Sequence, residues 1–307
     1  MKRLGRLPLV ALAAALPVVA MFELVATFVV PAPEAAMYEP LESVVAPIYQ
    51  PGDLVVMSPR WAEPNARAVL GDHVMRLEDL ARSDARRYPR AIEISLDGAR
   101  SSELAAFHEK AAREVGPFTV RELENPSPER VLYDFLDHVD PEDLSVSGSE
   151  PSERCRFTTH GEVLSGGLGG NPTFPRRRFQ CSGGAFFGVG VTVIADEDFL
   201  PRRCIFAHPT EHGARVLRFE HVPLGERIVG HLGMYTIIER VRGAPIELEV
   251  SVDGERLATI RHEDGEGWKR FDVPLGAHGG ASSATVELGV RSPDYVDRHF
   301  CFEATVR

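Results

Sequence analysis

Apolar and polar positions along the chain change their period twice. Leu7 to Val30 is a near-continuous apolar run whose one charge is Glu23. Its length meets the roughly 20 residues that a bilayer-spanning helix needs. From Asp53 onward, short apolar runs alternate with helical spacings. Asp53–Met57 (DLVVM) fits a buried strand, and Trp61–Leu70 fits a helix with Pro64 in its first turn. Ala91–Leu96 (AIEISL) alternates as a half-buried strand should. After Asp97-Gly98, Ser101 or Ser102 caps a helix predicted to reach Val115, with Leu104, Phe107, Ala111 and Val115 as its buried stripe. Gly116-Pro117 stops it, and Phe118–Leu123 and Val131–Phe135 read as two more strands.

From Arg154 the texture turns to β. Phe186–Ile194, Ile246–Val252, Arg256–Ile260, Trp268–Val273, Thr285–Val290 and His299–Val306 have strand character, and Asp253-Gly254 is a two-residue hairpin signal. The last segment puts Phe300, Phe302, Ala304 and Val306 on one face and His299, Cys301, Glu303 and Thr305 on the other. The predicted fold class is therefore α+β. An N-terminal transmembrane helix precedes a small α/β unit, Rossmann-like in its strand and helix order, and then a larger disulfide-linked antiparallel β-sandwich of jelly-roll type. The expected boundaries are 1–30 for the anchor or signal segment, 31–50 for a proline-rich acidic stalk, 51–140 for the α/β unit, 141–153 for a polar linker and 154–307 for the sandwich.

Charge sharpens this division. The 307 residues carry a formal charge of −11, but residues 1–30 hold Lys2, Arg3, Arg6 and Glu23, leaving an acidic body of −13. An acidic body lacks the basic face of a nucleic-acid binder. Basic residues before the apolar run, with Glu34, Glu39 and Glu42 after it, predict a single-pass protein with its C-terminal body in the periplasm. A cleaved signal peptide is the alternative, with Val18-Val19-Ala20 as a cleavage tripeptide. The cysteines agree with export. Cys155, Cys181, Cys204 and Cys301 are an even set, which reads as two disulfides in an oxidising compartment. Three pairings are open. Cys155 with Cys181, and Cys204 with Cys301, is preferred, because the first would staple the glycine-rich loop and the second would tie down the last strand. A zinc site is the alternative use, though no C-x-x-C pair exists.

Candidate chemistry is sparse. No dinucleotide or Walker phosphate loop is present, so the Rossmann-like unit lacks a nucleotide motif, and no cofactor is expected. Gly166–Asn171 (GGLGGN) could form an anion nest or simply a loop inside a disulfide. His208-Pro209-Thr210-Glu211-His212 has two imidazoles four apart, but Pro209 and the β context oppose a zinc helix. His108-Glu109 lacks a second histidine. Glu263, Asp264 and Glu266 are calcium candidates in a loop that also reads as a solvated turn. No serine has the flanking glycines of a hydrolase elbow, and Gly280–Ala284 comes nearest. Trp268 and Tyr235, with Arg240, Arg270 and Arg298, are the aromatic and cationic side chains expected to bind a sugar. Burial of Trp268 in the sandwich is the competing reading.

The segments PIELEVSVDGERLATI, GWKRFDVPL, ATVELGV and RHFCFEATV, within residues 215–307, resemble galactose-binding-like jelly-roll sandwiches. That resemblance implies a carbohydrate-binding accessory module. Through YQPGDLVVMSP and the α/β unit after it, the chain is also similar to extracytoplasmic regions associated with bacterial membrane glycosyltransferases, without their many spans or acidic catalytic loop. This implies an envelope-glycan setting. The expectation is thus a membrane-anchored accessory protein that binds envelope carbohydrate or a glycosyltransferase partner. An exported glycan or ester hydrolase and a ligand-free scaffold are the alternatives.

Overall fold

The computed structural model describes residues 35–148, 153–162, 175–182, 184 and 187–307, with Pro17 and Met21. Its first part is a mixed four-stranded sheet. Strands β1 (Leu54–Ser58), β2 (Arg90–Leu96), β3 (His108–Val115) and β4 (Phe118–Glu124) lie in the order β1-β2-β4-β3. Only β1 and β2 run parallel; the other pairs are antiparallel. Helices α1 (Pro40–Val45), α2 (Glu63–Leu70) and α3 (Leu77–Leu80) accompany them. Leu41, Val45, Ala66, Leu70 and Leu80 join Met57, Ile92, Ile94 and Phe118 in one core. Leu54, Val56, Ala91 and Leu123 form a second core with Tyr88, Leu104 and Phe107 on the other side. Burial on both faces explains why DLVVM reads as an unbroken apolar run.

Two expectations are corrected here. The unit is not Rossmann-like, because a doubly wound sheet is mostly parallel and this one has a single parallel pair. The helix predicted to end at Val115 is instead strand β3, exposed along nearly its whole length at the sheet edge. Gly116, at φ +57, and Pro117 do not stop a helix. They are the two-residue turn of the β3–β4 hairpin, which needs a positive φ at its first position. Leu104 and Phe107 owe their burial to the turn before β3, and pairing with β4 overrides the helical spacing of Ala111 and Val115.

The membrane expectation is corrected as well. Among the described residues no helix is long and apolar enough to cross a membrane. The run from Leu7 to Val30 lies outside them except for Pro17 and Met21, so the single-pass periplasmic topology has no structural support.

The second part is a β-sandwich. Its strands are β5 (Tyr133–Asp134), β6 (Leu144–Ser147), β7 (Arg156–Thr158), β8 (Arg178–Gln180), β9 (Val189–Ala195) and β10 (Pro201–Ala207). They continue as β11 (Arg215–Val222), β12 (Arg227–Met234), β13 (Ile246–Val252), β14 (Glu255–His262), β15 (Lys269–Pro274), β16 (Ala284–Arg291) and β17 (Phe300–Val306). One sheet runs β15-β12-β17-β10-β9-β8-β7, with β5 also on β17; the other runs β14-β13-β16-β11-β6. All these pairs are antiparallel. Leu217, Phe219, Leu248, Val250, Val286 and Leu288 of the second sheet share a core with Ile205, Ile228, Leu232, Phe271, Phe300 and Phe302 of the first. Asp253 and Gly254, both at positive φ, make the β13–β14 turn. Strand β6 falls within the polar stretch 141–153 and forms an edge of the second sheet.

The disulfides are Cys155–Cys181 and Cys204–Cys301. Strand β17 is buried on both faces, because the segment around Arg82–Arg87 covers its outer side. Arg307 pairs there with Asp84 at 2.7 Å and with Glu129. Asp134 bridges Arg82 and Arg87 at 2.5 and 2.7 Å. Burial alone would raise the Asp134 carboxyl, but the two guanidinium groups hold it below the usual carboxylate range. A short helix, α4 (Thr236–Glu239), follows β12.

Candidate functional site

Where β10 ends and β11 and β17 begin, the sandwich opens into a cleft of about 440 Å³. Phe187, just before β9, and Tyr295, before β17, supply aromatic walls, with ring centroids 6.0 Å apart. Asp294 accepts the Val296 N–H at 3.1 Å and Ser292 donates to the Asp294 carbonyl at 2.7 Å, so a local turn fixes Tyr295. Thr210 and Glu211 line the cleft from the loop after β10, and the Thr210 hydroxyl donates to the His212 carbonyl at 2.7 Å. Glu153 and Ser182 enter beside the Cys155–Cys181 bridge, which holds their two segments together.

Arg215, the first residue of β11, reaches the same cleft although it is only 2% exposed. Its Nη1 donates to Cys155 Sγ at 3.2 Å, and its Nε has no hydrogen-bond partner. Burial pulls its pKa down, against the field of Glu153. Glu153 itself has a buried Oε2 without a partner. Buried polar groups in folded proteins are normally paired, so these two orphaned atoms, closed off from solvent within residues that border the cavity, stand out.

Two imidazoles lie against the aromatic wall. His208 is 4.7 Å from the Phe187 ring and 5.7 Å from His299. His208 Nδ1 lies 2.8 Å from the Pro209 carbonyl, which can only accept, so Nδ1 carries the proton and Nε2 is the basic atom. Burial pushes its pKa down to about 4, with the charges of His299 and Arg215 adding and the Pro209 bond opposing. His299 is also lowered, first by burial. Both rings are therefore uncharged at neutral pH.

The residues singled out from sequence lie elsewhere. Of these, Arg298 meets Asp264 in the loop before β15, while Arg240 donates to the Glu197 carbonyl at 3.3 Å. Tyr235 is buried. Arg298 pairs with Asp264 at 2.6 Å and donates to the carbonyls of Ala244 and Val241. Glu263 takes Arg261 at 3.0 Å and Glu266 takes Lys269 at 2.9 Å, so the three carboxylates diverge onto separate cations. No group of three metal-ligating side chains occurs among the described residues. Glu239, which sequence reasoning passed over, locks this loop by accepting from His262 Nε2 and the N–H groups of Gly265 and Gly267. Trp268 donates through Nε1 to Ser83 at 2.6 Å and thus joins the sandwich to the small unit. Arg270 lies on β15 with Asp272 at 3.5 Å. Arg240 stands 5.2 Å over the Phe199 ring. The glycine run 166–171 lies outside the described residues.

A second concavity of about 490 Å³ lies on the small unit. Lys110 pairs there with Glu124 and Arg90 with Glu122 at 4.0 Å, while Arg113 has no ion pair among the described residues. It offers no buried, under-used polar group, so the Arg215 cleft is the candidate site. Of its lining, sequence reasoning had reached only Thr210 and Glu211, through the His208–His212 stretch.

No family model matches the chain, and no curated protein matches it significantly. Among solved structures it is similar to CBM51 from Clostridium perfringens GH95 in complex with methyl-galactose, at 14% identity over 38% of this chain and 81% of that one, TM-score 0.29. It is similar to the CBM51-2 and INT domains of Clostridium perfringens ZmpB in complex with GlcNAc, at 14% identity over 68% and 42%, TM-score 0.33. It is also similar to a family 29 carbohydrate-binding module, at 10% identity over 50% and 90%, TM-score 0.19. The chain thus spans less than half of the ZmpB structure. Identities and TM-scores this low carry no argument about ligand. No glycosyltransferase stands among these three.

Proposed function

We propose that this chain is a carbohydrate-binding accessory protein that seats a sugar ring in the Arg215 cleft. One observation carries the reading: a cleft walled by the rings of Phe187 and Tyr295 is bordered by the charged side chains of Arg215, Glu153 and Glu211. A pyranose offers apolar C–H faces to aromatic rings and hydroxyls to charged groups, and this lining matches both needs. Two disulfides fit folding in an oxidising compartment, where glycans are met outside the cytosol. The test is a glycan array with the full chain, followed by titration of the best ligand into wild type and Tyr295→Ala. Loss of a stacking ring should weaken binding about tenfold, the scale of one well-placed aromatic contact. Retention of full affinity in Tyr295→Ala would place the ligand elsewhere.

A second reading, glycan hydrolysis, has one observation in its favour: Glu153 and Glu211 line the same cleft, and glycoside hydrolysis requires two carboxylates. Release of new reducing ends from a bound glycan, lost in both Glu153→Gln and Glu211→Gln, would establish it over simple binding.

A further inference from the structure

This inference rests on the carbohydrate reading and adds a charge preference to it. Arg215 is the one cation among the described residues that line the cleft. Against it stand Glu153, with a buried oxygen that lacks a hydrogen-bond partner, and Glu211, exposed and without an ion pair among the described residues. Arg215 and Glu153 already offset one another through space. The imidazoles add nothing positive, since His208 gives its one N–H to the Pro209 carbonyl. Among the described residues the cleft therefore has a surplus carboxylate at its mouth.

That surplus discriminates among sugars. A uronic acid would bring a third carboxylate to a single guanidinium, and like charges at short range repel. A neutral sugar would use Arg215 and leave Glu211 solvated. An ammonium-bearing sugar would give its hydroxyls to Arg215 and a charge-assisted hydrogen bond to a carboxylate, roughly twice as strong as a neutral one. We infer that the cleft selects its ligand by charge, taking unacetylated amino sugars ahead of neutral sugars and turning away uronic acids.

The experiment is calorimetric titration of the full chain with methyl glucosaminide, methyl N-acetylglucosaminide, methyl glucuronide and methyl galactoside at pH 6 and low salt. The glucosaminide should bind about fivefold more tightly than its acetylated form, the scale of one partly exposed ion pair. The glucuronide should bind least. At pH 9, above the pKa of about 8 typical of an amine flanked by electron-withdrawing groups, the advantage should vanish. Glu211→Gln should bring the amine-to-acetamide affinity ratio toward one at pH 6. Equal binding of amine and acetamide at pH 6, or glucuronide binding as tightly as either, overturns charge selection while leaving the carbohydrate reading intact. An amine advantage that persists in both Glu211→Gln and the pH 9 titration overturns it too. Absence of binding to all four sugars, with no ligand found on the array, overturns both.

Discussion

Two arginines in this sandwich are equally buried, at 2% exposure each, and have different surroundings. Arg298 points under the segment 241–244, where Asp264, two carbonyls and Met234 Sδ surround its guanidinium. Arg215 borders an open cleft, and its Nη1 donates to a disulfide sulfur. The first has the environment of a strut, in which charge is offset and a loop is held in place. Both leave Nε without a hydrogen-bond partner; the second differs in that a disulfide sulfur accepts from its Nη1 and its side chain borders the cleft. Burial alone therefore does not separate the two arginines; the number and kind of their partners does.

The largest expected effect comes from removing the strut. Arg298→Met leaves Asp264 without its cation and frees the 241–244 segment, a loss of about 3–5 kcal/mol by the measure of broken buried ion pairs. Arg215→Met abandons no tight ion pair and fills similar space with apolar atoms, so its cost should stay within about 1.5 kcal/mol. Urea unfolding of both variants reads the difference directly. If Arg215→Met proves as destabilising as Arg298→Met, both arginines are struts and the comparison fails.

The two regions also differ in how far sequence exposes them. Local signals read well: Asp253-Gly254 makes the β13–β14 hairpin, Pro64 sits in the first turn of α2, and the preferred cysteine pairing is the one formed. The Arg298 neighbourhood was nearly legible too, because its residues cluster within 235–268 and 298. Long-range assembly was not. The Arg215 cleft draws on segments near 153, 182, 187, 210, 215 and 295, and no spacing rule links them. Strand β3 was lost for a related reason. HEKAAREV has helix-compatible spacing, and only its pairing with β4 across Gly116-Pro117 makes it a strand. Trp268 was visible as an aromatic worth watching, but its partner, Ser83, lies in the other unit.

The next effect concerns pH. The buried His208 has a folded-state pKa of about 4 against an ordinary value of 6.5. Between those values the unfolded chain binds a proton that the folded chain refuses. Its contribution to stability is therefore whole above about pH 6.5 and declines as pH falls toward 4, by about 3 kcal/mol in all. His299, lowered for the same first reason, acts in the same direction. Denaturant unfolding of wild type and His208→Gln from pH 7 to pH 4 checks this. The variant should lose stability less steeply, and parallel curves would mean that His208 is not the buried neutral ring described beside Arg215.

The smallest effect separates the aromatic that sequence singled out from those the cleft uses. Trp268→Phe keeps an aromatic ring against the core and deletes the Nε1 hydrogen bond to Ser83, a loss of about 1 kcal/mol. Trp268 does not line the cleft between Phe187 and Tyr295, so affinity for any ligand bound there should be unchanged. Stability and affinity measured on one preparation give two independent readings. A drop in affinity without a drop in stability would return Trp268 to the role of sugar platform and move the binding site to the α4 side of the sandwich. The reverse pattern leaves it as the joint between the two units, with the Arg215 cleft as the binding face.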